Sequence, residues 1–150
     1  MTTLTIRQMA HASGLSAHTL RYYEDIGLID PVRRSASGHR CYSEHDQRWI
    51  AFLLRLRATG MSIQDMLAYA TLRRDGQQLD SVVRRQQMLQ QHVLTLENRL
   101  AALQDNLSVM RDKVVFYTEL ASTLQADAQP DSTGAAHDPI TLSTRLEPPA

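Results

Sequence analysis

The side chains in this chain best suited to chemistry lie in the run Thr19-Leu20-Arg21-Tyr22-Tyr23-Glu24, and the chemistry they suit is contact with a nucleic-acid backbone. Arg21 carries a planar, permanently charged donor for phosphate. Tyr22 or Tyr23 adds a hydroxyl donor on a flat apolar body that can lie against a sugar. Ser16, Ala17, His18 and Thr19 come just before them, and base reading would fall to Ser16, Ala17 and His18. The same residues also admit a plainer reading, in which Tyr22 and Tyr23 cover a small core and Arg21 is an ordinary solvated charge.

These residues need a scaffold, and the flanking sequence supplies one. Ile6-Arg7-Gln8-Met9-Ala10 and Gly14 precede the run at the spacing of two crossing helices. A small Ala10 and Gly14 are expected to let the second helix approach closely, with Met9, Leu15 and Leu20 filling the interior. Ser16 is a natural N-cap, and Gly27 fits a left-handed C-terminal cap. The helix between them would expose Ala17, His18, Arg21 and Tyr22. Turn signals at Asp30-Pro31 and Ser35 to Gly38 bracket Val32-Arg33-Arg34, and His39-Arg40-Cys41-Tyr42 returns as a short extended run, which reads as an arginine-tipped hairpin wing. Ser43 caps a further helix with Glu44 and Asp46 in its positive first turn and Trp49, Ile50, Leu53, Leu54 and Leu56 on its apolar face; Gly60 ends it. Ser62 opens another, with Ile63, Met66, Leu67 and Tyr69 or Ala70 inward, and the unit closes near Gly76.

Beyond it, apolar residues alternate at spacings of four and three through Val82, Leu89, Val93, Leu96, Leu100, Leu103, Leu107, Met110, Val114 and Tyr117, interrupted only by Gln86. That 3.5-residue period marks a coiled-coil seam on a helix which, from Leu79 to Leu124, would extend about 65 to 70 Å. One helix cannot bury such a stripe. Its simplest partner is the same helix of a second subunit; the alternative is folding back on its own winged unit. The sequence thus divides into residues 1–76, a winged helix-turn-helix unit; 77–125, a dimerisation helix; and 126–150, a tail with Pro130, Pro139, Pro148 and Pro149 in which disorder is expected. The fold class is mainly all-α with a small β wing.

The 150 residues carry no formal net charge, yet residues 1–60 hold eight Arg against five acidic side chains, so the positive excess falls in the segment expected to meet DNA. No apolar run approaches the roughly 20 residues of a membrane span. One Cys excludes an internal disulfide.

Leu20-Arg21-Tyr22-Tyr23-Glu24, Gly27-Leu28-Ile29, Gly38-His39-Arg40 and Tyr42-Ser43, in that order, resemble the signature of MerR-family transcription regulators, and the resemblance covers residues 4 to about 124. Trp49-Ile50, Leu56-Arg57 with Gly60-Met61-Ser62-Ile63, and Leu72-Arg73 with Gly76 look most like the AdhR/NmlR-like branch, which is associated with aldehyde or thiol stress. The resemblance implies a cytoplasmic homodimer paired through an antiparallel coil. It further implies a palindromic operator in a promoter spacer and control of RNA polymerase indirectly, through distortion of promoter DNA. It assigns phosphate contacts to Arg21, Tyr23, Arg34, Arg40 and Arg57 and base reading to His18, with Ser16, Thr19, Tyr22, His39 and Tyr42 completing the DNA-binding set.

No effector is written plainly in the chain. Residues 111–130 lack the paired cysteines of metal-sensing relatives, and soft metals need thiolates, so neither a metal nor another cofactor is expected. Arg55 stands where the AdhR-like branch carries a cysteine. Cys41, between Arg40 and Tyr42, is therefore the sole redox candidate, or else a small half-buried strand residue. An organic effector would fit near Tyr69, Leu72 and Met88, or near Tyr117, unless these residues only pack. An enzyme is not expected, since no nucleophile with its base, phosphate-cradling loop or metal set is present. The competing function is an architectural DNA-binding coiled-coil protein without an effector, which would not require the wing arginines and the two-helix reader together.

Overall fold

A computed structural model describes residues 2–129. Its elements, in chain order, are β1 (Leu4–Thr5), α1 (Ile6–Ser13), α2 (Ala17–Asp25), β2 (Cys41–Tyr42), α3 (Glu44–Ala58), α4 (Ile63–Arg74) and α5 (Leu79–Asp127). The expected tail falls outside the described residues from position 130 onward.

Short polar side chains open four of the helices. Thr5 and Gln8 form a reciprocal capping box on α1, as Ser43 and Asp46 do on α3. Ser16 accepts from the Thr19 amide at 3.0 Å, and Ser62 accepts from the Asp65 amide at 3.1 Å. α1 ends at Gly14, whose φ is 71°. Nothing lies within 4 Å of where a Cβ would stand there. The expectation that Gly14 permits close helix approach is thus corrected: glycine is needed for the left-handed backbone turn, not for space.

The wing also differs from the simple hairpin expected. Its two arms meet through an isolated Arg34–Arg40 bridge, with the Ser35 amide donating to the His39 carbonyl at 2.8 Å and the Cys41 amide to the Arg33 carbonyl at 2.7 Å. The returning arm then continues as β2, which pairs antiparallel with β1, Leu4 opposite Tyr42 and Thr5 opposite Cys41. The wing is therefore tied to the strand that leads into α1.

A core of Leu20, Leu28, Ile29, Tyr42 and Ile50, all under 2 % exposed, sits between α2, α3 and the base of the wing. Around it pack Met9, Tyr23, Val32, Trp49, Leu53, Leu56, Met66, Tyr69 and Ala70. Trp49 satisfies its indole N–H by donating to the Leu28 carbonyl at 2.9 Å. Leu54 and Leu67 are half-buried, and Ile63, expected inward, is exposed at the first position of α4.

One compact unit runs through Leu103 and a second begins at Gln104. The first takes in the opening turns of α5, which dock on the winged core. The Ser81 hydroxyl donates to the Leu72 carbonyl and Arg85 to the Gly76 carbonyl, while Met88 and Leu89 pack against the core. Further along, Thr59 Oγ1 and His92 Nε2 lie 2.7 Å apart and Arg99 donates to the Thr59 carbonyl at 3.3 Å. Folding back on the winged unit thus holds for the first part of the helix, as far as Arg99. From Leu100 onward the apolar positions Leu100, Leu103, Leu107, Met110 and Val114 are all exposed in the single chain, as are Val82 and Val93 before them, whereas Leu89 and Leu96 are half-buried.

Candidate nucleic-acid interface

α2 presents the residues that carried the sequence argument. Because side chains three and four apart share a helix face, burying Leu20 and Tyr23 on the core side turns His18, Arg21 and Tyr22 outward. Tyr22 is 50 % exposed and its ring tilts against that of Tyr23, centroid to centroid 6.1 Å. The N-cap Ser16 is exposed, and its hydroxyl and that of Thr19 stand 2.9 Å apart, at the outward-facing end of the helix. Ala17, expected exposed, is half-buried.

Tyr23 combines the two roles the sequence left open. Its ring belongs to the core at 7 % exposure, while its hydroxyl accepts from Arg57 Nη1 at 3.2 Å. This joins α2 to an exposed arginine on α3, so a single phosphate could take donors from both. In the wing, exposed Arg34 is held by donation to the Gly38 carbonyl at 2.9 Å, and His39 is exposed at the tip.

Two wing residues stand differently from expectation. Tyr42 is wholly buried, so its expected contact with DNA is corrected to a core role: the strand alternation that turns Cys41 outward carries Tyr42 in. Its hydroxyl is a buried polar atom without a hydrogen-bond partner, and burial, with the Glu24 charge adding, pushes its pKa up. Arg40 shares that inward side. Its Nε donates to Glu24 Oε2 at 2.6 Å, with the two side chains only 17 % and 13 % exposed. Glu24 Oε1 also accepts from the Val32 amide at 3.4 Å. The Arg40 bond to Glu24 raises the arginine's pKa, and with the Val32 bond it lets α2 grip both arms of the wing through one carboxylate.

Between the start of α1, α2 and the wing lies an open depression of about 560 Å³ lined by Arg7, Arg21, Arg34, Arg40 and His39, together with small polar residues, and by no carboxylate. Its charge and setting suit a sugar–phosphate chain. Arg7 was not singled out from sequence: it joins the site only because β1 pairs with β2 and brings the start of α1 beside the wing. Cys41 lines the same depression, half-buried, its thiol 3.6 Å from the His39 carbonyl.

Arg73 and Arg74, by contrast, are structural. They donate to the two oxygens of Asp30 at 2.8 and 2.6 Å, and the Arg73 guanidinium lies 4.3 Å over the Trp49 ring. Burial raises the Asp30 pKa, but the hydrogen bonds from Arg74 and Arg73 and their charges outweigh it, leaving the carboxyl below its ordinary value. Of the residues expected near an organic effector, Tyr69 lines an open depression of about 470 Å³ and Met88 another of about 590 Å³, and both also pack against the core. Tyr69 stacks on Trp49 at 6.0 Å and lies tilted against Phe52 at 5.7 Å. Among the described residues no group of three or more His, Cys, Asp or Glu could hold a metal ion, and no helix is long and apolar enough to cross a membrane.

Comparison with known proteins places this geometry. The family profiles described as MerR family regulatory protein and as MerR, DNA binding match residues 5–42 and 47–112. The chain is 48 % identical over 73 residues to the HTH-type transcriptional regulator AdhR of Bacillus subtilis, a match spanning 49 % of this chain and 52 % of that protein. It is 33 % identical over 128 residues to the HTH-type transcriptional regulator HmrR of Sinorhizobium medicae, covering 85 % of this chain and 81 % of the relative. Among solved structures, HiNmlR, a MerR family regulator lacking the sensor domain and bound to promoter DNA, superposes with a TM-score of 0.71. The two share 29 % identity, and the match covers 81 % of this chain and 94 % of HiNmlR.

Proposed function

Because this chain belongs to the MerR family and is a DNA-binding transcription regulator of that type, we propose that it grips promoter DNA as a homodimer and controls transcription by distorting it. The observation that carries this reading is the carboxylate-free basic depression beside the exposed face of α2, a surface shaped for a phosphate backbone next to a helix that can enter the major groove. Arg7, Arg21, Arg34 and the Tyr23–Arg57 pair bind phosphates. His18, at the exposed start of α2, reads bases, with Ser16, Thr19 and Tyr22 beside it. Arg40 holds the wing, and His39 meets the backbone from the wing tip.

The two subunits pair through the exposed seam of α5, from Val82 to Val114, in antiparallel orientation, which presents two reading helices to a palindromic operator. RNA polymerase is reached indirectly, through the shape of the spacer. The protein acts in the cytoplasm, with residues 1–76 reading DNA and 77–125 pairing subunits. The signal class fitting the AdhR/NmlR-like branch is aldehyde, oxidative or other small-molecule stress, for which Cys41 is the sole thiol available.

Footprinting on the chain's own upstream DNA, with transcription from the same template and a panel of aldehydes, oxidants and metals, tests this. One protected palindrome inside a promoter spacer, with effector-dependent output at constant occupancy, is expected. Equal coating of unrelated DNA at physiological salt would instead favour an architectural DNA-binding coiled coil.

A further inference from the structure

Helices α3, α4 and α5 meet at the open depression of about 470 Å³ that Tyr69 lines, and each contributes side chains about one helical turn apart. α3 places His45, Arg48, Trp49 and Phe52 there. α4 adds Tyr69 and Arg73, and α5 adds Arg85 and Leu89. All of them precede Leu103, so the depression belongs to the first compact unit alone. Each helix thus brings one arginine and at least one apolar side chain, and no carboxylate lines the depression.

The positive charge there is not cancelled. Asp30 accepts from both Arg73, at 2.8 Å, and Arg74, at 2.6 Å, so one carboxylate faces two guanidinium groups. Arg85 donates to the carbonyls of Gly76 at 2.7 Å and Ser81 at 3.3 Å, neutral acceptors that fix its position and leave its charge. Arg48 is exposed, and among the described residues neither it nor Arg85 pairs with a carboxylate. Of the acids close to these arginines in sequence, Glu44 and Asp46 line a neighbouring depression, Asp75 stands exposed at the C-cap of α4, and Asp80 pairs with Arg84 at 3.2 Å.

The floor selects for shape. Trp49 and Tyr69 are stacked and buried, and the Arg73 guanidinium covers Trp49 from 4.3 Å. Asp30 and His45, whose Nε2 accepts from Arg73 Nη2 at 2.5 Å, hold that guanidinium by its edge. A planar cation held by one face and its edge can take a flat ring on its other face, and half-buried Phe52 and Leu89 extend the surface on which such a ring would lie. We propose that the depression binds a planar aromatic carboxylate, its ring on Arg73, Phe52 and Leu89 and its carboxylate shared by Arg48 and Arg85. The volume falls within the range of about 300 to 1,000 Å³ usual for small-molecule sites. Hydrogen bonds from guanidinium to carboxylate are roughly twice as strong as neutral ones, so the anion carries much of the affinity. Because Arg48 is on α3 and Arg85 on α5, the same carboxylate ties the start of the long helix to the winged unit. Binding there depends on neither the subunit pairing nor the operator described above.

The test titrates naphthoate into the full chain by calorimetry, with naphthylmethanol as its uncharged counterpart and acetate as its ringless one. Trp49 is the chain's single tryptophan, so fluorotryptophan labelling gives one fluorine NMR signal beside the site. Naphthoate is expected to bind about ten-fold more tightly than either counterpart and to move that signal. Arg48→Gln and Phe52→Leu are each expected to weaken binding about ten-fold, whereas Arg84→Gln, the same charge change beside the depression, leaves it unchanged. Equal affinity for naphthoate and naphthylmethanol, or equal weakening by Arg84→Gln and Arg48→Gln, would overturn the proposal. So would an unmoved Trp49 signal at millimolar naphthoate, a result that needs no variant to fold.

Discussion

Glu24→Gln separates two roles for Arg40 that predict opposite outcomes. If Arg40 is a phosphate contact, neutralising Glu24 releases a guanidinium toward DNA, so binding tightens and its salt dependence steepens by about 0.9 in the log–log slope. If Arg40 is a staple, the same change frees the wing. The structure favours the staple, since Glu24 takes Arg40 Nε at 2.6 Å and the Val32 amide at 3.4 Å. Fully exposed pairs contribute about 0 to 1 kcal/mol, and breaking a buried one costs about 3 to 5. With both side chains four-fifths or more buried but at the edge of the core, the loss is about 2 kcal/mol. In a unit of this size about 2 kcal/mol lowers the melting temperature by roughly 8 to 16 °C. The assay is a thermal melt by circular dichroism paired with fluorescence anisotropy on operator DNA across a salt series. The expected result is a lower melting temperature and about ten-fold weaker binding without a steeper slope. Tighter, steeper binding at unchanged stability would refute the staple and restore Arg40 to the phosphate set.

Further substitutions test other parts of the structure. Arg21→Ala is expected to weaken binding to all sequences alike and to reduce the salt slope by about 1, whereas His18→Ala is expected to change operator preference, each read by anisotropy on operator and scrambled duplexes. Gly60→Ala is expected to destabilise by about 1 to 2 kcal/mol in chemical denaturation, because its φ is 89°. Arg99→Ala is not expected to rescue it, since the guanidinium that would meet the new Cβ is the movable end of a long side chain. Finally, because the folded-state pKa of Asp30 lies below its ordinary 3.8, its contribution is present above that value and is lost as pH falls through the folded pKa. The stability difference between wild type and Asp30→Asn is therefore expected to shrink between pH 5 and pH 3 in melts of both proteins.

What the sequence disclosed, and what it hid, follows from the range of the interactions. Caps, helix faces and the seam are local patterns, so Ser16, Ser43, Ser62 and the 3.5-residue stripe could be read directly. β1 could not, because two residues carry no periodicity and their partner lies nearly forty positions away in β2. Missing that pairing hid Arg7 as well. Tyr42 was assigned to DNA from its place beside Arg40 in a motif, although strand alternation already puts positions 40 and 42 on one side and 41 on the other. Once Arg40 turns toward Glu24, Tyr42 must turn inward too, and a basic residue in a wing becomes a brace instead of a probe.

The same distinction governs α5. Its period reveals that the helix needs a partner but is blind to which flank faces the reading unit. That depends on contacts such as Ser81 to Leu72 and His92 to Thr59, which join distant segments. Those contacts cover Ser81, Met88 and His92, whereas Leu100 and Leu103 stay exposed in the single chain. Under the proposed pairing, the seam decides how firmly two reading helices are held. A regulator that bends DNA needs them held, because a loose pair would follow the spacer's own twist instead of imposing one.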